Sequence, residues 1–351
     1  MTPSMRVVLV GCGDIALSAH LPALSRSAGA QLVAVVDLDE ERRAAAAHEY
    51  QVPGFATLAD AMCTAPEAAI VATPPNVTPA LCEQALANGL HVLCEKPMAT
   101  SLPDALRLHE LAGTSDRIVQ VGFTNRFSPL VLSLREAIVA GRLGSPLVFT
   151  LSAYDERYDS ANPVHLGRIM RFLEQAPAFV HEGAHLVDYV AFLTGARPTR
   201  VGAAGIRTSP SFASENYVAA TVEWDNGDQA RLEVGWLFPA LPRGQFRVLG
   251  PCASAEIIRG EGRMLIEDGQ VCEESTLGTD WNVVSFDRQL DHFVHAVRGT
   301  AERGPTTLDG LASIRLTDAI VQSMREGRVI DLSNEPFNHQ PSFDAPRATS
   351  R

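Results

Sequence analysis

Met5-Arg6-Val7-Val8-Leu9-Val10-Gly11-Cys12-Gly13-Asp14-Ile15-Ala16 decides the fold of this 351-residue chain. An apolar run stops at Gly11, a second glycine follows at Gly13, and a small residue, Ala16, comes three later. The chain then continues as a helix through Leu17 to Ser25. The spacing is G-x-G-x-x-A, placed after a strand and at the opening of a helix. Gly11 permits the tight turn, Gly13 lets the backbone approach a pyrophosphate, and Ala16 lets helix and strand pack closely. The helix N-terminus adds backbone donors and the positive end of the dipole, which together stabilise a phosphate. Gly11, Gly13, Asp14 and Ile15 are therefore the first candidate cofactor-binding residues.

Gln31-Leu32-Val33-Ala34-Val35-Val36-Asp37 reads as a second buried strand ending in an acid. Asp37 stands where a carboxylate accepts from the adenosine ribose hydroxyls and repels a 2′-phosphate, which favours NAD(H) over NADP(H). Arg42 and Arg43 could offset that repulsion. A competing role for Asp37 is to cap the helix that starts near Asp39.

The alternation continues to about residue 122. Helices are expected at Glu40–Tyr50, Leu58–Cys63, Pro79–Asn88 (stopped by Gly89) and Leu102–Gly113. Strands are expected at Ala68–Ala72, His91–Cys94 and Ile118–Val121. Continuous apolar strands separated by helices imply a doubly wound parallel sheet covered on both faces. Ligands sit beyond the carboxyl ends of such strands. Thr73, Pro74, Asn76, Glu95 and Lys96 fall there and complete the candidate cofactor set.

From residue 145 the texture changes. Pro146–Tyr154, Thr199–Gly205, Tyr217–Trp224, Gln229–Trp236 and Phe246–Gly250 read as strands, with an Asn-Gly hairpin signal at Asp225-Asn226-Gly227-Asp228. Strands in tandem imply an antiparallel sheet and an α+β second half. Helices are expected at Val180–Leu193, Phe286–Arg298 and Leu308–Arg325. The tail from Ser333 is rich in Pro, Ser and Asn, and mobility is expected there.

A formal charge of −12 and the lack of any basic run argue against a nucleic-acid partner. The six cysteines show neither metal spacing nor a disulfide framework, which fits a reducing cytoplasm. No apolar stretch reaches the length of a membrane span, and the first apolar run is too short for a secretory leader.

Two stretches can carry chemistry. In Glu95-Lys96-Pro97 the lysine can donate to a substrate oxygen beside a nicotinamide, and the Lys96–Pro97 bond can be cis. The plain alternative is a solvated lysine with a proline ending the strand. In Phe179-Val180-His181-Glu182-Gly183-Ala184-His185-Leu186-Val187-Asp188, His181 and His185 share a helix face and Asp188 comes one turn on. A histidine there can take a proton at neutral pH. The same letters spell H-E-x-x-H, the zinc-protease pattern. Gly183 inside the motif and the absence of a third ligand at a fitting spacing argue against it, so no metal is expected. Two histidines hydrogen-bonded at a domain seam are the other alternative. Tyr154–Arg171 is taken as a loop that shapes the pocket, made basic by Arg157, His165, Arg168 and Arg171. Tyr154 and Arg168 are its candidate substrate contacts.

These stretches resemble the family of glucose-fructose oxidoreductase and inositol 2-dehydrogenase (Gfo/Idh/MocA), over nearly the whole chain. The resemblance rests on Gly11–Ala16, Ala72-Thr73-Pro74-Pro75-Asn76, Gly89–Pro97, Gly122-Phe123-Thr124-Asn125-Arg126-Phe127, Gly183–Asp188 and the segment Asp309–Gly327. It implies an N-terminal Rossmann domain over 1–123 and a C-terminal domain over 124–335 with a large, mostly antiparallel open sheet, with a tail over 336–351. It implies a nicotinamide cofactor, a carbohydrate or cyclitol substrate, and a homodimer or homotetramer assembled through the C-terminal sheet. The family's reactive lysine falls on Lys96, its proton-transferring histidine on His185, and a substrate-side residue on Arg126. His181 stands where the family often has Asp, and Pro79 where it often has His. The implied activity is hydride transfer between NAD and a secondary alcohol or ketone carbon. Relatives that use transient sugar oxidation for elimination, and non-catalytic NAD-binding regulators, define two further readings.

Overall fold

The computed structural model describes residues 3–278 and 280–335, apart from the side chain of Arg259; the tail expected over 336–351 lies outside them. The chain forms two compact units. Of the described residues, one holds those up to Ser128 together with Asn282–Leu311, and the other holds Pro129–Trp281 and Ala312 to Glu335.

In the first unit the strands are β1 (Met5–Val10), β2 (Ala30–Val36), β3 (Gly54–Phe55), β4 (Ala68–Val71), β5 (His91–Cys94) and β6 (Val119–Val121). They form a sheet in the order β3-β2-β1-β4-β5-β6. Every pairing is parallel. The order reverses between β1 and β4, so a crevice opens at the carboxyl ends there. Val10 is level with both Val36 and Val71, so Gly11, Asp37 and Ala72 leave the sheet side by side. Val7, Val8, Leu9 and Ala68 to Val71 are wholly buried with no alternation, as both-face cover requires.

The first helix departs from the regular helix that the sequence suggests. It starts at Asp14, widens into a π turn over Ala16–His20, and continues as α1 (Leu21–Arg26). The Leu21 N–H bonds the Ala16 carbonyl, five residues back. Pro22 supplies the reason: it has no N–H, and in a regular α-helix its ring would press on the Ser18 carbonyl. The wider turn gives it room.

Further helices are α2 (Glu40–Tyr50), α3 (Leu58–Ala61), α4 (Thr78–Ala87), α5 (Leu102–Thr114), α6 (Pro129–Val139), α7 (Pro163–Gln175), α8 (Ala178–Thr194), α9 (Trp281–Val297) and α10 (Thr307–Glu326). α9 closes the first unit. Its Phe286, Leu290, Phe293 and Val294, spaced i, i+4, i+7, i+8, share one buried cluster with Val7, Leu9, Leu21 and Leu24. Burying each such side chain contributes about 1.5–3 kcal/mol.

The second unit carries β7 (Val148–Tyr154), β8 (Pro198–Ile206), β9 (Tyr217–Trp224), β10 (Gln229–Gly235), β11 (Phe246–Leu249), β12 (Ser254–Ile258), β13 (Arg263–Glu267), β14 (Cys272–Thr276) and β15 (Ile330–Asp331). They form one sheet in the order β14-β13-β12-β11-β7-β10-β9-β8-β15. The β9–β10 hairpin turns at Gly227 with φ +88°. The sheet is mostly antiparallel, as expected; the one parallel pairing is that of β7 with β10. The chain passes through two helices and two strands before β10 reaches β7, so no hairpin fixes their direction.

The expected loop over Tyr154–Arg171 is also corrected: its second half, from Pro163, belongs to α7, capped by Asn162, whose side chain accepts the His165 N–H. On β7, Phe149, Leu151 and Ala153 face the buried side, and Thr150, Ser152 and Tyr154 face the other. α8 lies on the buried side, where Tyr189 meets Phe246 edge-on at 4.7 Å and Phe246 sits opposite Leu151. Among the described residues no helix is long and apolar enough to cross a membrane.

Candidate functional site

The crevice of the first unit is a phosphate cradle by construction. Gly11 has φ +96°, and a Cβ there would stand 2.4 Å from the Ala72 carbonyl oxygen. Only glycine lets β1 turn this tightly beside β4. A Cβ on Gly13 would meet nothing within 4 Å, so the space over the helix N-terminus is open. A pyrophosphate fits that opening. Asp14 and Ile15 come next, on the exposed first turn.

Asp37 does not cap α2; that role falls to Asp39, which accepts the Arg42 N–H. Asp37 instead accepts the Cys12 N–H at 2.7 Å and the Asp39 N–H at 2.8 Å. The carboxylate is thereby pinned at the rim of the cradle, with remaining lone pairs for ribose hydroxyls. Arg43 donates to the Asp37 carbonyl, and Arg42 pairs with Asp39. The Cys12 thiol is buried, and burial first, then Asp37, pushes it up to about 11, so it stays protonated.

Thr73 bonds Thr78 at the head of α4, while Pro74 and Asn76 stand exposed at the β4 end. Pro79, buried inside the first turn of α4, fills a position where no N–H is needed. Ile15, Leu38 and Val77 expose 38 %, 86 % and 42 % of their surface around this rim. Sequence reading missed Leu38 and Val77 as candidates. For Leu38 the available signal was a large apolar residue directly after a strand-ending acid, with nothing to pack on.

At the β5 end, Glu95 is buried and Lys96 half-buried, and the Lys96–Pro97 bond is cis. Glu95 accepts from His20 at 2.7 Å and from the Lys96 N–H at 3.0 Å. His20 was not singled out from sequence. Arg126, expected on the substrate side, is 1 % exposed, and its guanidinium closes on Asp309 at 2.7 Å. Asp309 also accepts the Thr306 N–H and hydroxyl. Arg126 is thus committed to an internal ion pair that ties the turn after β6 to the start of α10.

In the second unit His181 and His185 share one face of α8, with His181 buried, His185 half-buried and Asp188 buried one turn on. Gly183 leaves no gap in the helix: a Cβ there would stand 2.3 Å from the Phe179 ring, so its absence lets that ring pack. His181 Nε2 faces the Phe172 carbonyl at 3.1 Å and must donate to it, because a carbonyl only accepts. Its ring stacks on Trp236 (5.4 Å, 21°) and leans on Phe172. Next to Trp236, Leu237 (φ +56°) donates its N–H to the carbonyl of Glu156 (φ +50°). Two non-glycine residues in the left-handed region, bonded to each other, store strain of a kind that collects at functional sites.

The basic segment carries internal partners. His165 and Arg168 converge on Glu156 at 3.1 Å and 3.8 Å, and Arg157 donates to the Pro239 carbonyl. Tyr154 is not brought to the histidines. Strand pleating turns it to the face opposite α8, where its hydroxyl bonds Glu233. Burial and then Glu233 hold that hydroxyl well above the usual tyrosine range. Among the described residues no group of three or more His, Cys, Asp or Glu is placed to hold a metal ion.

Comparison with known proteins agrees with this geometry. Inositol 2-dehydrogenase of Corynebacterium glutamicum is 28 % identical over 355 residues, covering 98 % of this chain and 100 % of that one. D-apiose dehydrogenase of Paraburkholderia graminis is 27 % identical over 352 residues, covering 93 % and 89 %. The crystal structure of an oxidoreductase from Agrobacterium radiobacter, in complex with NAD+, L-tartaric acid and magnesium, superposes with a TM-score of 0.80. It is 18 % identical and covers 94 % of this chain and 99 % of that one, a likeness of fold. Residues 5–123 match the oxidoreductase family with an NAD-binding Rossmann fold, and residues 135–332 match its C-terminal alpha/beta domain. The chain therefore belongs to the Gfo/Idh/MocA oxidoreductase family, with NAD as the cofactor of its first domain.

Proposed function

We propose that the protein is an NAD(H)-dependent dehydrogenase or reductase acting on a secondary alcohol or ketone carbon of a sugar, sugar derivative or cyclitol. Residues 1–123 hold the cofactor, and residues 124–335 supply the substrate side and the subunit contacts. The observation that carries the reading is the β5 end, where buried Glu95 clamps the backbone of half-buried Lys96 on the same sheet edge as the glycine cradle and Asp37.

Bound at the Gly11–Gly13 turn and Asp37, NAD+ would supply the hydride acceptor. Lys96 stabilises the charge that develops on the substrate oxygen. His185 takes the hydroxyl proton, and His181, with Nε2 held by Phe172, orients the reacting hydroxyl. The reverse direction uses the same groups. Glu156, which pairs with Arg168 and meets His165, offsets one positive charge on this side, and an uncharged polyol suits it better than an acid.

A homodimer or homotetramer would use the face of the second sheet that carries Tyr154 and Glu233. Val148 and Leu249, paired across β7 and β11, are exposed apolar residues of that sheet. The six cysteines form no disulfide, in keeping with a cytoplasmic setting.

The test is a panel of inositols, sugars, uronic acids and their keto forms with NAD+ or NADH, run on wild type and Lys96→Ala. Steady NADH formation from a neutral polyol, lost in Lys96→Ala while NADH still binds, is the expected result. Product without net NADH would shift the reading to transient oxidation. No turnover with any compound would leave a regulator.

A further inference from the structure

We propose that His20 and Glu95 form the element that positions Lys96. The proposal rests on the reading of Lys96 as the catalytic cation. His20 sits at the end of the π turn, 3 % exposed, with its ring edge-on to Phe286 at 5.2 Å. Its Nε2 lies 2.7 Å from Glu95 Oε1. The carboxylate accepts, so this nitrogen carries the hydrogen. The second oxygen, Oε2, accepts the Lys96 N–H at 3.0 Å. One buried carboxylate thus ties a helix on one side to the lysine's own backbone on the other.

Two further features preserve this bridge. A Cβ on Gly122 would stand 3.1 Å from the Glu95 carboxyl carbon, so only glycine leaves the carboxylate its full place. The helix face is the second. His20 lies four residues after Ala16 and is buried with Ala16 and Ala19, so the side of the turn that packs on the sheet also presents the imidazole. From there His20 fixes Glu95. The lysine side chain then starts from an immobilised stem, which shortens its search for the reacting oxygen.

The test compares wild type with His20→Phe, which keeps a ring against Phe286 but removes the donor, and His20→Gln, which restores one. Three quantities are read: Kd for NADH by fluorescence, kcat and KM for the best polyol of the panel, and the acetylation rate of Lys96 by mass spectrometry. The last needs no turnover. Expected for His20→Phe is a kcat reduced about 10- to 100-fold with NADH Kd within about three-fold, and a changed Lys96 acetylation rate. His20→Gln should recover most of both effects. Unchanged Lys96 acetylation in His20→Phe overturns the proposal, whatever the enzyme turns over. Altered acetylation with no polyol turned over by wild type sinks the dehydrogenase reading and leaves the positioning role standing. Should His20→Phe fail to fold, Glu95→Gln, which keeps the shape and an acceptor, is read the same way.

Discussion

Alanine at Gly13 and alanine at Gly11 should fail in different ways, and the difference tests the cradle directly. At Gly13 the added methyl meets no protein atom within 4 Å and the backbone is not left-handed, so folding loses nothing. The methyl stands instead where a pyrophosphate must come close. Losing one or two charge-assisted hydrogen bonds costs about 1.5–3 kcal/mol each. NADH should therefore bind at least about 10-fold more weakly, with an upper range above 100-fold. At Gly11 the methyl would lie 2.4 Å from the Ala72 carbonyl oxygen, a full ångström inside the 3.4 Å at which ordinary contact begins. The backbone at φ +96° adds about 1–2 kcal/mol of strain. The turn must move, so Gly11→Ala should lose cofactor binding and also melt about 4–8 °C lower. NADH fluorescence titration and thermal unfolding of the three proteins give both numbers. Gly13→Ala that binds NADH within three-fold of wild type would refute the cradle. So would a Gly13→Ala whose melting falls as far as that of Gly11→Ala.

Further expectations concern charge and stability. Asp309→Ala leaves the Arg126 guanidinium buried without its carboxylate, and urea unfolding should show a loss of about 3–5 kcal/mol; a loss under 1 kcal/mol would deny the pair its structural role. Asp37→Ala removes the acceptor for the Cys12 and Asp39 N–H groups and should weaken NADH about 10-fold while narrowing its advantage over NADPH. Burial lowers His292 from 6.5 to about 4, so the folded state holds it neutral while the unfolded chain protonates it. Its contribution, about 3 kcal/mol, is full above pH 6.5 and lost as pH falls toward 4. His292→Gln should flatten the stability slope across that window in pH-dependent urea titrations; an unchanged slope would assign it elsewhere.

The first sheet was legible because its signals are local. A strand, two glycines, a small residue and an acid at the next strand end specify the crevice without distant partners. The second sheet was legible only in part. β12, β13 and β14 carry weak alternation with exposed charged positions, so their strand character comes from pairing with one another. α7 was legible and was read as loop: Asn162-Pro163 is a cap with a first-turn proline behind it, and Leu166, Ile169, Met170 and Leu173 keep helical spacing. The charge of Arg157, His165 and Arg168 hid that pattern. In the site, the glycines and Asp37 could be placed because backbone geometry dictates them. Tyr154 could not, since a single pleat decides which face it takes. His20 was hidden because its partner, Glu95, lies 75 residues further along the chain.

The cover supplied by α9 has a consequence for how the chain is made. Phe286 and Phe293 reach the cluster of Val7 and Leu9 from a segment synthesised long after β6. At elongation speeds of about 5–20 residues per second, the nascent sheet waits roughly 10–30 s for that lid. During the interval one apolar side stays open to water and to chaperones. A gene cut after residue 123 would make the exposure permanent, and its product should be recovered as aggregate unless the segment Asn282–Leu311 is supplied alongside it.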